Sequence, residues 1–242
     1  MKKSRFFYYP YIMPYNIAII AAGGQGSRTG TTRPKQYHLL NDRPVLMHTI
    51  SAFHGIADKI IVVISEPMIQ VWQLQCEKYD FEVNHELVIG GKTRFESVQK
   101  GLGHIQDKYG DLVNEDTAIA VHDAARPLID PELIRKSFHL CHQGKGNVLG
   151  IQSTNSIRIG SSRNSKAIDR DRVWVIQTPQ TFPAPIIMQA FAQEEQPHFT
   201  DEASVIEQMG YDIHILEGHP NNIKITYPED FIIAQMYLSG RV

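Results

Sequence analysis

The chain has 242 residues, with 24 Lys and Arg against 26 Asp and Glu and a formal charge of -2, so it has no global field to attract nucleic acid. Its 2 cysteines, Cys76 and Cys141, lie far apart with no paired neighbour, which excludes a disulfide scaffold and a thiolate metal site and fits a reducing, cytoplasmic compartment. This length suits one α/β domain, and no apolar stretch approaches the length of a membrane span.

The first residues, "MKKSRFFYYPYIMPYN", place cations before apolar residues in the manner of a secretory leader. Pro10, Pro14 and Asn16 interrupt that run, and the downstream pattern needs Ile17 to Ala21 as a buried strand, so residues 1–15 read as an N-terminal extension. Short apolar runs suited to buried parallel strands then recur: "NIAIIAA", "KIIVVIS", "HELVIGG", "TAIAVHD" and "GNVLGIQ". Helical spacing fills the gaps, with Leu46, Ile50 and Phe53, then Phe95, Val98 and Leu102, then Leu133, Ile134 and Phe138 sharing faces. Strand and helix alternate, which predicts a three-layer, doubly wound, mostly parallel sheet of Rossmann-like form.

The rhythm breaks over 153–173, where "SIRIG" and "KAIDR" are joined by a Gly/Ser/Asn turn, and this segment reads as a projecting β-hairpin arm. Such a ribbon is marginal in water alone, so its expected use is to embrace a second subunit; a floppy surface loop is the alternative. "VWVIQTP" resumes the sheet, and "PAPIIMQAFAQEE" reads as a helix with proline in its first turn. "TDEASVIEQMG" reads as another, with Thr200 as N-cap, Asp201 and Glu202 favouring its positive end, and Gly210 as terminator. "YDIHILEG" and "NNIKITYPEDFIIAQMYL" predict two more strands and a closing helix. No repeats or linkers appear, so residues 1–242 are expected to form a single domain.

The richest stretch is "IIAAGGQGSRTGTTRPKQY", where a strand runs into Gly23, Gly24 and Gly26 and two cations, Arg28 and Lys35, follow. Glycines after a strand let backbone N–H groups point at an anion. The dinucleotide fingerprint fails, because Thr29 stands where its third glycine belongs. The Gly91-Lys92-Thr93 triplet is not a phosphate loop either, since Glu86 occupies the position of the first glycine. What remains is a longer loop with a planar Arg fork and a compact Lys charge, suited to a polyphosphate whose charge shifts during reaction. Two solvated turn cations are the bland reading of the same residues.

That loop, with its A-A-G-x-G-x-R start and P-K-Q-Y end, resembles the signature of nucleotidyltransferases that activate sugar or polyol phosphates. Its form is similar to the 2-C-methyl-D-erythritol 4-phosphate cytidylyltransferases of the non-mevalonate isoprenoid pathway. "VIGGKTRFESV", "VHDAARPLI", "IDRDRVWVIQTPQTF", "TDEASVIE" and "EGHPNNIKITYPEDF" stand in the family's order and extend the likeness over nearly the whole chain.

The resemblance implies attack by methylerythritol phosphate on the α-phosphorus of CTP, with loss of pyrophosphate. It implies that Ala21, Ala22, Gly23, Gly24 and Gly26, with Gly90 and Gly91, cradle CTP, and that Ser97 lies near the cytosine. Asp123 suits a ribose hydroxyl or Mg²⁺, and Arg126 either reaches a phosphate or pairs with an acid. Arg28 and Lys35 would stabilise the reacting triphosphate, while Arg170 and Lys224 match the pair that hold the attacking phosphate. Thr200 and Ser156 match acceptor-site positions, Arg94 organises its region or serves as a structural partner, and His122 reads as packing. Asn155 and Ser156 depart from the usual Asp-Thr of the arm, which weakens that part of the likeness. The rival readings are a ribitol 5-phosphate cytidylyltransferase and a non-catalytic nucleotide-binding protein on the same fold.

Overall fold

The computed structural model describes residues 14–24 and 34–240. In chain order its strands and helices are β1 (Tyr15–Ala22), β2 (Leu39–Leu40), β3 (Arg43–Pro44), α1 (Val45–Phe53), β4 (Lys59–Ile64), α2 (Ile69–Lys78), β5 (Glu86–Ile89) and α3 (Arg94–Tyr109). There follow β6 (Thr117–Asp123), α4 (Pro131–His142), β7 (Asn147–Gln152), β8 (Ile157–Gly160), β9 (Ser165–Ile168), β10 (Trp174–Pro183), α5 (Ala184–Ala190), α6 (Glu202–Glu207), β11 (His214–Glu217) and α7 (Pro228–Leu238). The strand β1 begins at Tyr15, one residue inside the segment expected as an extension, and Tyr15 pairs with Thr117.

Seven strands form the central sheet in the order β11-β7-β10-β6-β1-β4-β5. All run parallel except β10, which is antiparallel to both β6 and β7. The apolar runs follow from burial on both faces. In β1, Ala18 and Ile20 pack with Leu46, Ile50, Phe53, Trp72, Ile134 and Phe138 from α1, α2 and α4. Ile17 and Ile19 face the opposite way, toward Phe95, Val98 and Leu102 of α3 and Ile187 of α5. Ile17, Ile19 and Ile20 are wholly buried, and each such side chain contributes about 1.5–3 kcal/mol of transfer free energy.

The chain leaves β1 for β4 on one side and later returns to build β6 on the other. The C-terminal ends of β1 and β6 therefore flank a topological switch point, where open α/β sheets bind ligands. The parallel register sets Ala21 opposite Asp123. Helix α3 lies close to this part of the sheet because Gly101 lacks a side chain: a Cβ there would meet Val63 Cγ2 at 3.1 Å and Ile19 Cγ2 at 3.2 Å.

Two expectations need correction. The N-cap of α6 is Asp201 rather than Thr200: the Asp201 carboxylate accepts from Ser204 N at 3.0 Å, and Ser204 Oγ accepts from the Asp201 N–H in return. This capping box satisfies two backbone donors at once, which a single Thr hydroxyl does not. Residues 222–226 are not a strand. Polar and apolar residues alternate there in sequence, but the buried positions are Asn222 and Ile225, Ile225 N–H reaches only Ala125 O, at 2.8 Å, and no strand ladder forms. The 153–173 segment does contain a hairpin, with β8 and β9 pairing Ile157 with Ile168 and Gly160 with Ser165 as a separate two-stranded sheet. No helix among the described residues is long and apolar enough to cross a membrane.

Candidate active site

A cavity of about 630 Å³ opens at the switch point. Its wall begins with Ala21, Ala22, Gly23 and Gly24 at the end of β1 and continues through Lys35 and Gln36. The start of α3 adds Gly91, Lys92, Thr93, Arg94 and Ser97, and Asp123 and Lys224 complete the charged side.

Local bonds fix this wall. Gln36 is buried and donates through Nε2 to Ala22 O at 2.7 Å and to Gly24 O at 3.2 Å, so one amide ties the chain that leaves β1 to the chain that returns at Pro34. Across the cavity, Ser97 Oγ accepts from Gly91 N–H at 3.1 Å and donates to Thr93 O at 2.8 Å. Thr93 caps α3 by accepting from Glu96 N–H at 3.0 Å. Gly91 is required by space, since a Cβ there would lie 2.2 Å from Glu96 Cβ.

Asp123 is the electrostatic centre, with a side chain 10% exposed. Arg94 Nε lies 3.3 Å from its Oδ1, while Lys224 Nζ at 2.8 Å and Arg126 Nε at 3.7 Å face its Oδ2. Burial alone would raise this carboxyl, but Arg94, Lys224 and Arg126 together hold it well below the usual carboxylate range. Arg94 also forks onto Glu202, with Nη1 on Oε1 and Nη2 on Oε2, the latter at 3.0 Å. Burial works against the Arg94 charge, and the two carboxylates more than offset it, so the guanidinium is held protonated.

Lys224 reaches Asp123 because the 222–226 segment is strapped down. Arg126 Nη1 donates to Asn222 O at 2.8 Å, Asn222 Nδ2 donates to Thr178 O at 2.9 Å, and the Ile225 bond described above completes the strap.

The cavity thus gathers Ala21, Ala22, Gly23, Gly24, Gly91, Ser97, Lys35, Asp123 and Lys224 from the sequence reading. Gly90 sits just outside it, with Ser97 Oγ 3.0 Å from where its Cβ would stand. Gly26 and Arg28 lie outside the described residues. Arg126 is packed behind Asp123 rather than on the cavity surface: it pairs with that acid, one of the two roles left open for it, and donates to the Asn222 carbonyl. Thr200 lines a small adjoining hollow with Arg94 and Phe95. Ser156 and Arg170 are exposed and away from the cavity within this chain, Arg170 donating to Thr154 O at 3.2 Å.

Asp123 does not fit a divalent cation in this arrangement, because both its oxygens already face cations. Among the described residues no group of three or more His, Cys, Asp and Glu side chains could hold a metal ion.

Residues 16–240 match the family model "IspD: 2-C-methyl-D-erythritol 4-phosphate cytidylyltransferase". The chain belongs to this family. A relative of that name from Bacteroides thetaiotaomicron is 38% identical over 222 residues, covering 91% of this chain and 98% of the relative. Another from Porphyromonas gingivalis is 40% identical over 225 residues, covering 92% and 97%. The crystal structure of 4-diphosphocytidyl-2C-methyl-D-erythritol synthase from Anaerococcus prevotii superposes with a TM-score of 0.75 at 28% identity, covering 93% of this chain and 96% of that one. Members of the family are cytidylyltransferases, which makes the chain an enzyme of the nucleotidyltransferase class and bears out the Rossmann-like fold expected for it.

Sequence reasoning assigned no role to Gln36 and read Glu202 as a helix-end charge. The first carried a signal in the P-K-Q-Y string. The second carried none, since its partner Arg94 lies 108 residues away.

Proposed function

We propose that this enzyme transfers the cytidylyl group of CTP to 2-C-methyl-D-erythritol 4-phosphate, giving 4-diphosphocytidyl-2-C-methyl-D-erythritol and pyrophosphate. The observation that carries the reading is the cavity at the ends of β1 and β6, where the backbone of Ala21 to Gly24 meets the ammonium groups of Lys35 and Lys224. An oxygen of the acceptor phosphate forms a bond to the α-phosphorus, the bond from that phosphorus to the bridging oxygen breaks, and pyrophosphate leaves with the electron pair. A phosphate monoester has a second pKa of about 6, so it is already a dianionic nucleophile at neutral pH and needs no general base. Positioning and charge then supply the rate.

In this reading the β1 turn and the Gly90-Gly91 turn hold the nucleotide, with Ser97 at the base. Lys35, with Arg28, stabilises the charge that grows on the α-phosphate and the departing pyrophosphate. Lys224 meets the acceptor phosphate, with Asp123 steering it and Thr200 bordering the acceptor. Mg²⁺ would enter as part of the CTP substrate and would screen its charge, with Asp123 not among the residues that would hold it. Ser156 and Arg170, exposed and absent from this chain's own cavity lining, act in a neighbouring subunit: a homodimer in which the β8–β9 hairpin crosses over supplies them. A cytoplasmic setting suits the two free thiols, Cys76 and Cys141.

The test is pyrophosphate release from CTP and Mg²⁺ with methylerythritol phosphate and ribitol 5-phosphate offered in parallel. Methylerythritol phosphate is expected to turn over faster. Faster turnover of ribitol 5-phosphate overturns the acceptor, and no release with either overturns catalysis.

A further inference from the structure

Glu202 is wholly buried at the first position of α6, and both of its oxygens are engaged by the Arg94 fork. Its backbone is pinned to the sheet. Gln180 on β10 accepts from Ala203 N–H at 2.9 Å and donates to Asp201 Oδ2 at 2.9 Å. A buried ion pair is weak evidence for stability, because well-packed apolar residues of the same volume do as well. The geometry gives this pair a different purpose.

A guanidinium can grip a carboxylate with two parallel N–H groups, and that is its preferred mode. Arg94 turns its two terminal nitrogens to Glu202 and meets Asp123 through Nε, so of the Asp123 oxygens it engages Oδ1 alone. The other oxygen, Oδ2, stays available to Lys224 Nζ at 2.8 Å. Without Glu202 the fork is free to turn onto Asp123 and grip both oxygens, where its charge competes with Lys224, whose side chain is 44% exposed, for Oδ2.

We propose that Glu202 is a positioning residue: by holding the Arg94 fork it reserves Asp123 Oδ2 for Lys224 and thereby sets where the Lys224 ammonium meets the acceptor phosphate. This rests on the acceptor role given to Lys224 above.

The test compares wild type, Glu202→Gln and the double variant Arg94→Met/Glu202→Met in the full chain, by crystal structure and by steady-state kinetics. In Glu202→Gln the Arg94 fork is expected on Asp123 and Lys224 Nζ out of contact with it. The KM for methylerythritol phosphate should rise between about tenfold and a hundredfold, the range of one charge-assisted hydrogen bond, with the KM for CTP little changed. In the double variant the Arg94 fork no longer competes for Asp123, so Lys224 Nζ is expected back within hydrogen-bond distance of Asp123 Oδ2 in the crystal structure.

A merely structural pair would lower the melting temperature without separating the two KM values. That result overturns the proposal, as does a Lys224–Asp123 contact that persists in Glu202→Gln. If Glu202→Gln does not fold, the crystal structure of the double variant decides alone: Lys224 on Asp123 supports the proposal, and Lys224 away from Asp123 overturns it. If wild type turns over neither acceptor, the functional reading fails, while the Lys224–Asp123 distance in the crystals still decides what Glu202 positions.

Discussion

Thr178 Oγ1 stands 3.0 Å from His122 Nδ1 and accepts the Asp123 N–H at 3.0 Å. With its lone proton given to Nδ1, the hydroxyl makes His122 the neutral tautomer whose Nε2–H donates to Arg126 O at 3.1 Å. The ring thus braces the turn that carries both Asp123 and Arg126, which is more than the packing role the sequence suggested.

A pH dependence follows. Burial pushes the His122 ring down from 6.5 to about 4. Between those values the unfolded chain binds more protons than the folded one, so stability rises with pH. The contribution is complete above about 6.5 and is lost as pH falls through about 4, a change on the order of a few kcal/mol. Urea unfolding at pH 7 and pH 5 should show it, and His122→Gln should flatten the difference.

Gly91→Ala forces a methyl group against Glu96 at the start of α3. Stability is expected to fall by about 1–3 kcal/mol, as for other overpacked sites. Gly24→Ala is the control, because nothing among the described residues lies within 4 Å of the added carbon. Equal denaturation midpoints for the two variants would contradict the crowding at Gly91.

Lys35→Ala should lower kcat on the order of a hundredfold, the usual effect of removing a donor aimed at developing charge. Arg28→Ala is expected to do the same. Single-turnover kinetics with saturating CTP separate this loss from weaker binding, and an unchanged chemical step removes Lys35 from the reacting phosphates.

Subunit exchange tests the shared site. Lys35→Ala and Arg170→Ala homodimers are each expected to be nearly inactive. Mixed dimers carry one intact site and one doubly altered site, so random reassortment should restore about a quarter of wild-type turnover. No recovery after verified exchange would confine both residues to one chain.

Much of the sheet was legible because strands buried on both faces read as continuous apolar runs, as in "NIAIIAA" and "KIIVVIS". Direction was not legible: nothing in "VWVIQTP" says that β10 opposes its neighbours, since side-chain period is the same either way. "NIKIT" shows the limit of periodicity, for it alternates as a strand does while serving as a strap that delivers Lys224. The glycine turn and Asp123 were readable from local chemistry. Glu202 was not, because an acid in a first helical turn already has a local explanation that hides a tertiary one. Arg170 and Ser156 show why spacing alone cannot place residues that one chain does not bring to its own cavity.

The shallow seat of α3 on the sheet makes Gly101 a remote adjuster of the catalytic chamber. It lies four residues beyond Ser97, roughly 6 Å along the axis, on the same side of the helix. A methyl group there would stand 3.1–3.3 Å from Ile19 and Val63 side-chain carbons, so either those side chains or the helix that carries the Gly91–Ser97 wall must give by a few tenths of an ångström. The seat of the helix that bears one chamber wall thus depends on a position outside the chamber's own lining.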